Sequence, residues 1–106
     1  MFKELDFSPG IIVYDDFKIN QKQPFADQLF CLKEDLFQVN YYTNKYLIDI
    51  GWNPEFKVKG NFKIVIIKNT DWLNPLYCKK TQALKKLDEY VKECIEIIRH
   101  LGPKGE

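Results

Sequence analysis

Residues 46–73, YLIDIGWNPEFKVKGNFKIVIIKNTDW, constrain the fold more than any other stretch of the chain. Tyr46, Ile48, Ile50 and Trp52 recur at every second position, as do Phe62, Ile64 and Ile66. A period of two marks a strand with one buried face. Two such strands cannot bury their apolar sides alone, so the remaining segments must pack on them. Asn53-Pro54-Glu55 ends the first strand, because Pro lacks the ladder donor, and Lys59-Gly60-Asn61 returns the chain into the second.

The flanking segments extend this pattern. Phe37, Val39 and Tyr41 alternate with Gln38, Asn40 and Tyr42, which predicts a strand, and Thr43-Asn44-Lys45 suits a tight hairpin into Tyr46. Ile11–Tyr14 is a short β-prone run set off by Ser8-Pro9-Gly10. Asp15 and Asp16 follow it, and the polar stretch from Lys18 to Gln23 has the makeup of an exposed, mobile loop. Phe25, Leu29 and Leu32 fall at helical spacing behind Pro24, which predicts a short helix. Asp71-Trp72-Leu73 leads into the turn at Asn74-Pro75, and Leu76–Lys79 forms a further strand.

From Thr81 the period changes to 3.6. Leu84, Leu87, Val91, Cys94, Ile95, Ile98 and Leu101 share one face, and charged residues fill the other. Thr81 or the residue before it is the expected cap, and Gly102-Pro103 the expected stop. The fold class that follows is α+β: an antiparallel meander of about four strands, covered on one face by a long C-terminal amphipathic helix, with a short helix before the second strand. At 106 residues, 45% of them hydrophobic, residues 1–106 are expected to form a single domain.

No apolar run reaches the ~20 residues of a membrane helix, and the apolar segment near the N-terminus is shorter than a signal-peptide core. The expected location is therefore cytoplasmic, with no membrane partner. Cys31, Cys78 and Cys94 are odd in number and scattered, which speaks against a disulfide framework and a zinc site and for small buried hydrophobes. Charge is uneven along the chain: residues 1–55 hold five Lys against nine acids, a net −4, and residues 56–106 hold eleven Lys and Arg against six acids, a net +5. If the halves segregate on the surface, the first attracts a basic partner and the second a polyanion.

Catalytic constellations do not emerge from the residues. His100 and Ser8 have no partner motif, and the five glycines form no phosphate loop. The carboxylate pairs Asp15-Asp16, Glu34-Asp35 and Asp88-Glu89 lie in hydrophilic segments. The stretch Lys57 to Lys63 interleaves basic residues with aromatics, a composition that holds single-stranded nucleic acid by phosphate contact and stacking. Its likeness to an RNA-recognition strand fails at Asn61, which stands where an aromatic is needed, so nucleic-acid binding is the second reading.

Several segments taken together, Leu5…Pro9-Gly10…Tyr14-Asp15-Asp16-Phe17, Leu32 through Val39, Asp49 through Pro54, and Gly60…Phe62…Val65-Ile66…Lys68…Asp71-Trp72…Pro75, resemble small bacterial immunity proteins of contact-dependent growth inhibition and related polymorphic toxin systems. The resemblance implies a non-enzymatic cytoplasmic protein without a cofactor. Such a protein binds the toxic C-terminal domain delivered by a neighbouring cell, commonly a nuclease, and blocks its active site or substrate path. The net charge of +1 departs from the strongly acidic immunity protein expected against a basic nuclease, although the −4 half supplies acids. Aromatic anchors inside a charged rim suit this task, which makes Asp15, Asp16, Glu34, Asp35, Trp52, Glu55, Asp71 and Trp72 the expected toxin contacts.

Overall fold

The computed structural model describes Phe2 and residues 4–104. Five strands, β1 (Ile11–Asp15), β2 (Phe37–Tyr41), β3 (Tyr46–Asn53), β4 (Asn61–Lys68) and β5 (Tyr77–Thr81), pair antiparallel in chain order. Helix α1 (Leu84–Leu101) follows them and packs on the sheet. The α+β class agrees with the periodicities. The strand count is five and not about four, because Ile11–Asp15 pairs with β2 despite being exposed along its whole length.

The period-two residues do what their spacing requires. Tyr46, Ile48, Ile50 and Trp52 of β3 lie opposite Tyr41, Val39 and Phe37 of β2 and opposite Ile66, Ile64 and Phe62 of β4 in one fully or nearly fully buried layer. Leu87, Val91, Cys94, Ile95 and Ile98 of α1 complete the same core. Phe2, Phe7 and Leu36 join it, and Phe2 meets the Phe17 and Phe37 rings at 4.9 Å.

Local chemistry shifts several expected boundaries. Tyr42, Thr43 and Asn44 all take left-handed φ, so the β2–β3 turn occupies residues 42–45 and is not the three-residue turn expected. The Asn40 carboxamide holds it, accepting from the Asn44 N–H at 2.8 Å. Thr81 ends β5, and its hydroxyl accepts from the Ala83 N–H at 3.1 Å; the helix cap is Ala83, without a side-chain bond. Gly102 stops the helix as expected, with φ of 67° and its N–H bonded to the Ile98 carbonyl at 2.9 Å. The expected short helix is a 3-10 helix, Phe25–Cys31, broken at Gln28.

Gln28 also changes the reading of the loop before it. Its buried carboxamide donates to the Asn20 carbonyl at 2.8 Å and the Gln23 carbonyl at 3.0 Å, and accepts from the Asn20 N–H at 2.8 Å. Three bonds tie down a segment whose composition suggested mobility. All three cysteines are free thiols; Cys94 is buried as expected, whereas Cys31 is half-buried and Cys78 lies exposed on β5.

Candidate functional site

Alternation that buries one side of each strand sends the intervening residues to the other. On that second face Gln38 lies opposite Asp49, Asp49 opposite Val65, Leu47 opposite Ile67, and Gly51 opposite Lys63. Val65 and Ile67 do not belong to the core cluster that α1 joins. They are nonetheless almost fully buried, because the strap 69–76 crosses this face between β4 and β5. Left-handed Asn69 and Thr70 turn the chain inward, and the Leu76 N–H returns to the Ile66 carbonyl at 2.9 Å. Trp72 rests over Leu47, Val65 and Ile67 with 52% of its surface still exposed.

Acidic residues gather at one end of this face through a backbone device. The Leu36 N–H donates to the Ile50 carbonyl at 3.0 Å and the Trp52 N–H to the Lys33 carbonyl at 2.8 Å, so Glu34 and Asp35 loop out between two ladder bonds as a bulge. The Glu34 carbonyl lies so close over Gly51 that a Cβ there would stand 1.7 Å from its oxygen. The Glu34 N–H donates to Glu55 Oε1 at 3.4 Å, which brings a third acid alongside. Glu34, Asp35, Asp49, Lys63 and Trp72 line one cavity of about 230 Å3. Glu34 and Lys63 also line an adjoining hollow of about 330 Å3 with Lys80.

Asp49 is the most perturbed acid of the face. Burial pushes its carboxyl above the usual range, the Gln38 carboxamide bonded at 2.7 Å opposes the rise, and the neighbouring Asp35 carboxylate adds to it. Sequence reasoning passed over Asp49 and Gln38 as site residues and weighed Lys63 only as a nucleic-acid contact. The available signal was their phase: each is the polar residue at the alternate position of a strand whose other face is core.

The structure divides the expected contacts. Glu34, Asp35 and Trp72 line one cavity on the open face, and Glu55 is joined to the Glu34 N–H. Asp71 is exposed in the strap, where its carboxylate accepts from the Asn74 carboxamide at 3.2 Å. Asp15 instead ends β1, and Asp16 follows it. Asp15 accepts from the Phe17 N–H at 3.1 Å, and Asp16 pairs with Lys33 and, at 3.6 Å, with Lys18. The Lys33 ammonium holds the Asp16 carboxyl below its ordinary value and is itself raised. Trp52 leaves the contact set: it is 0% exposed, packs edge-on to Phe62 at 4.9 Å and Phe25 at 5.3 Å, and donates through Nε1 to the Lys57 carbonyl at 2.8 Å.

The two charge halves do not segregate cleanly, since Asp49 of the acidic half and Lys63 of the basic half share a cavity. The basic and aromatic stretch is likewise split. Phe62 is core, Lys63 turns to the open face, and Lys57 and Lys59 stay on the exposed loop 54–60. Phe56, half-exposed and left-handed, is pinned there by its N–H to the Leu32 carbonyl at 2.7 Å. Among the described residues no group of three His, Cys, Asp or Glu is placed to hold a metal ion, and no helix is long and apolar enough to cross a membrane. Comparison of the chain with protein-family models, curated proteins and solved structures found no match.

Proposed function

We propose that this chain is an immunity protein that binds the C-terminal domain of a contact-dependent growth inhibition toxin, a nuclease, across the open face of its sheet and covers the toxin's active site or substrate path. The observation that carries the reading is that Glu34, Asp35 and Asp49 line one cavity with Lys63 and the half-exposed indole of Trp72, while Glu55 accepts from the Glu34 N–H alongside. Among the described residues none of these four acids is in an ion pair. An aromatic anchor inside a charged rim is the arrangement from which protein interfaces draw most of their affinity. Acids of this density favour a basic surface such as the groove in which a nuclease holds its substrate backbone. The rigid sheet beneath them presents that surface already formed, which limits the entropy lost on binding.

The test is to read the gene that precedes this one and to co-express this chain with the C-terminal domain of a large secreted toxin found there. A stable pair of nanomolar affinity is expected, with protection of cells that express the toxin domain. Glu34→Lys with Asp35→Lys slows association at least tenfold at low salt, and Trp72→Ala accelerates dissociation. Failure of the wild-type pair to form refutes the proposal. RNA or single-stranded DNA binding that depends on Lys57, Lys59 and Lys63 and falls steeply with salt would favour the nucleic-acid alternative.

A further inference from the structure

The two edges of the sheet are unlike. β5 carries exposed Lys79 and Lys80, charges that repel an added strand, whereas Ile11, Ile12, Val13 and Tyr14 of β1 stand between 41% and 69% exposed without a charge among them. β2 occupies one side of β1, and among the described residues no strand occupies the other. Asp15, the last residue of β1, is the only charge on this edge; an edge that is otherwise apolar is a template for further pairing, and natural sheets ordinarily guard such an edge. We infer that β1 pairs antiparallel with β1 of a second copy of this chain, joining two sheets into one.

Two features select a second copy over a foreign strand. β1 slips its register against β2 between Ile12 and Tyr14, leaving one extra residue at Val13. A straight strand added outside falls out of step at that point, but a second copy carries the same extra residue in the opposite sense, and a two-fold axis between Val13 and Tyr14 matches the two. That axis sets Val13 against Tyr14 and Ile12 against Asp15, so no acid faces an acid. It stands perpendicular to the sheet, which leaves both helices on one side and both open faces on the other.

The contact is small. The exposed parts of four side chains are all that each copy supplies, which falls below the standard interface size, so the dimer is weak and transient and forms only at high protein concentration. Sedimentation equilibrium from about 10 μM to about 1 mM spans that transition. The mass of the wild type is expected to rise from the 12.6 kDa of one chain towards twice that value. Val13→Lys and Ile12→Glu stay monomeric across the range with unchanged thermal unfolding, since both positions face solvent in the single chain. Amide exchange in β1 of the wild type slows as concentration rises, which reads the pairing even if a variant folds poorly. A wild type that remains monomeric at 1 mM, or a dimer that persists in both variants, overturns the inference. So does a monomer whose β1 amides are protected only by an added toxin domain, an outcome that gives the edge to a foreign strand.

Discussion

Gly51→Ala tests whether the acid-bearing bulge depends on the absence of a side chain beneath it. The new Cβ would stand 1.7 Å from the Glu34 carbonyl oxygen and 2.8 Å from its carbon, both backbone atoms that no rotamer change can move. Ordinary contact requires about 3.4 Å, so the bulge must recede by more than 1 Å. That displacement stretches the bonds on either side of it, from the Leu36 N–H to the Ile50 carbonyl and from the Trp52 N–H to the Lys33 carbonyl. Two backbone bonds are worth about 2 kcal/mol together, and overpacking adds about 1–3 kcal/mol. Replacing Gly by Ala in a strand returns about 0.5–1 kcal/mol. The net loss is about 2–4 kcal/mol, a large share of the ~5–15 kcal/mol that holds a domain together. Urea unfolding followed by far-ultraviolet circular dichroism should show the midpoint fall by about 2 M for a slope of about 1.5 kcal/mol per M. A midpoint within about 0.3 M of the wild type would refute the claim that Gly51 makes room for Glu34.

Three further outcomes follow from the same geometry. Asp49 has a raised folded-state carboxyl, so its cost to stability is full above that raised value and disappears below the unfolded carboxylate range; Asp49→Asn should stabilise the chain at neutral pH and lose that advantage in acid, as measured by unfolding across pH. Asp16 is the opposite case: its lowered carboxyl contributes stability above the unfolded value that is lost as pH falls through the folded one. Lys33→Met should therefore return the Asp16 carboxyl towards its ordinary range in an NMR titration and destabilise the fold less in acid than at neutral pH. The buried Tyr46 hydroxyl has no hydrogen-bond partner among the described residues, so Tyr46→Phe should leave stability unchanged or raise it by up to about 1 kcal/mol in chemical unfolding.

Strand phase was the most legible property of the sequence. Tyr46, Ile48, Ile50 and Trp52 were readable as one buried row because a period of two depends on the local chain alone, and the α1 stripe from Leu87 to Ile98 was readable for the same reason. Alternation says which residues leave the core but not what crosses the side they reach. The approach of Glu34 to Gly51, the strap that carries Trp72 over Val65, and the burial of Asp49 beside Gln38 all join segments that are distant in sequence, and none leaves a periodic trace. β1 was visible as a β-prone run, but a strand exposed on both faces lacks the alternation that would have added it to the sheet. Gln28 carries no sequence signal of its role; only its burial against the Asn20 and Gln23 backbone shows that it holds the loop in place.

The chain-order meander also bears on how the molecule assembles. Strands β2 to β5 are joined by the short connections 42–45, 54–60 and 69–76, so each pairing closes a small loop at little entropic cost. Chain-order hairpins of this kind are the pairings that a sheet closes most readily. β1 stands apart, since the long connection 16–36 must close before it reaches β2, and Arg99 then bonds the Asp6 and Ser8 carbonyls, each at 2.9 Å, to tie the opening turn to the last turn of α1. The strand with the longest loop to close is thus also the one whose outer edge is unguarded, and wherever β1 is undocked the edge of β2 is bare as well.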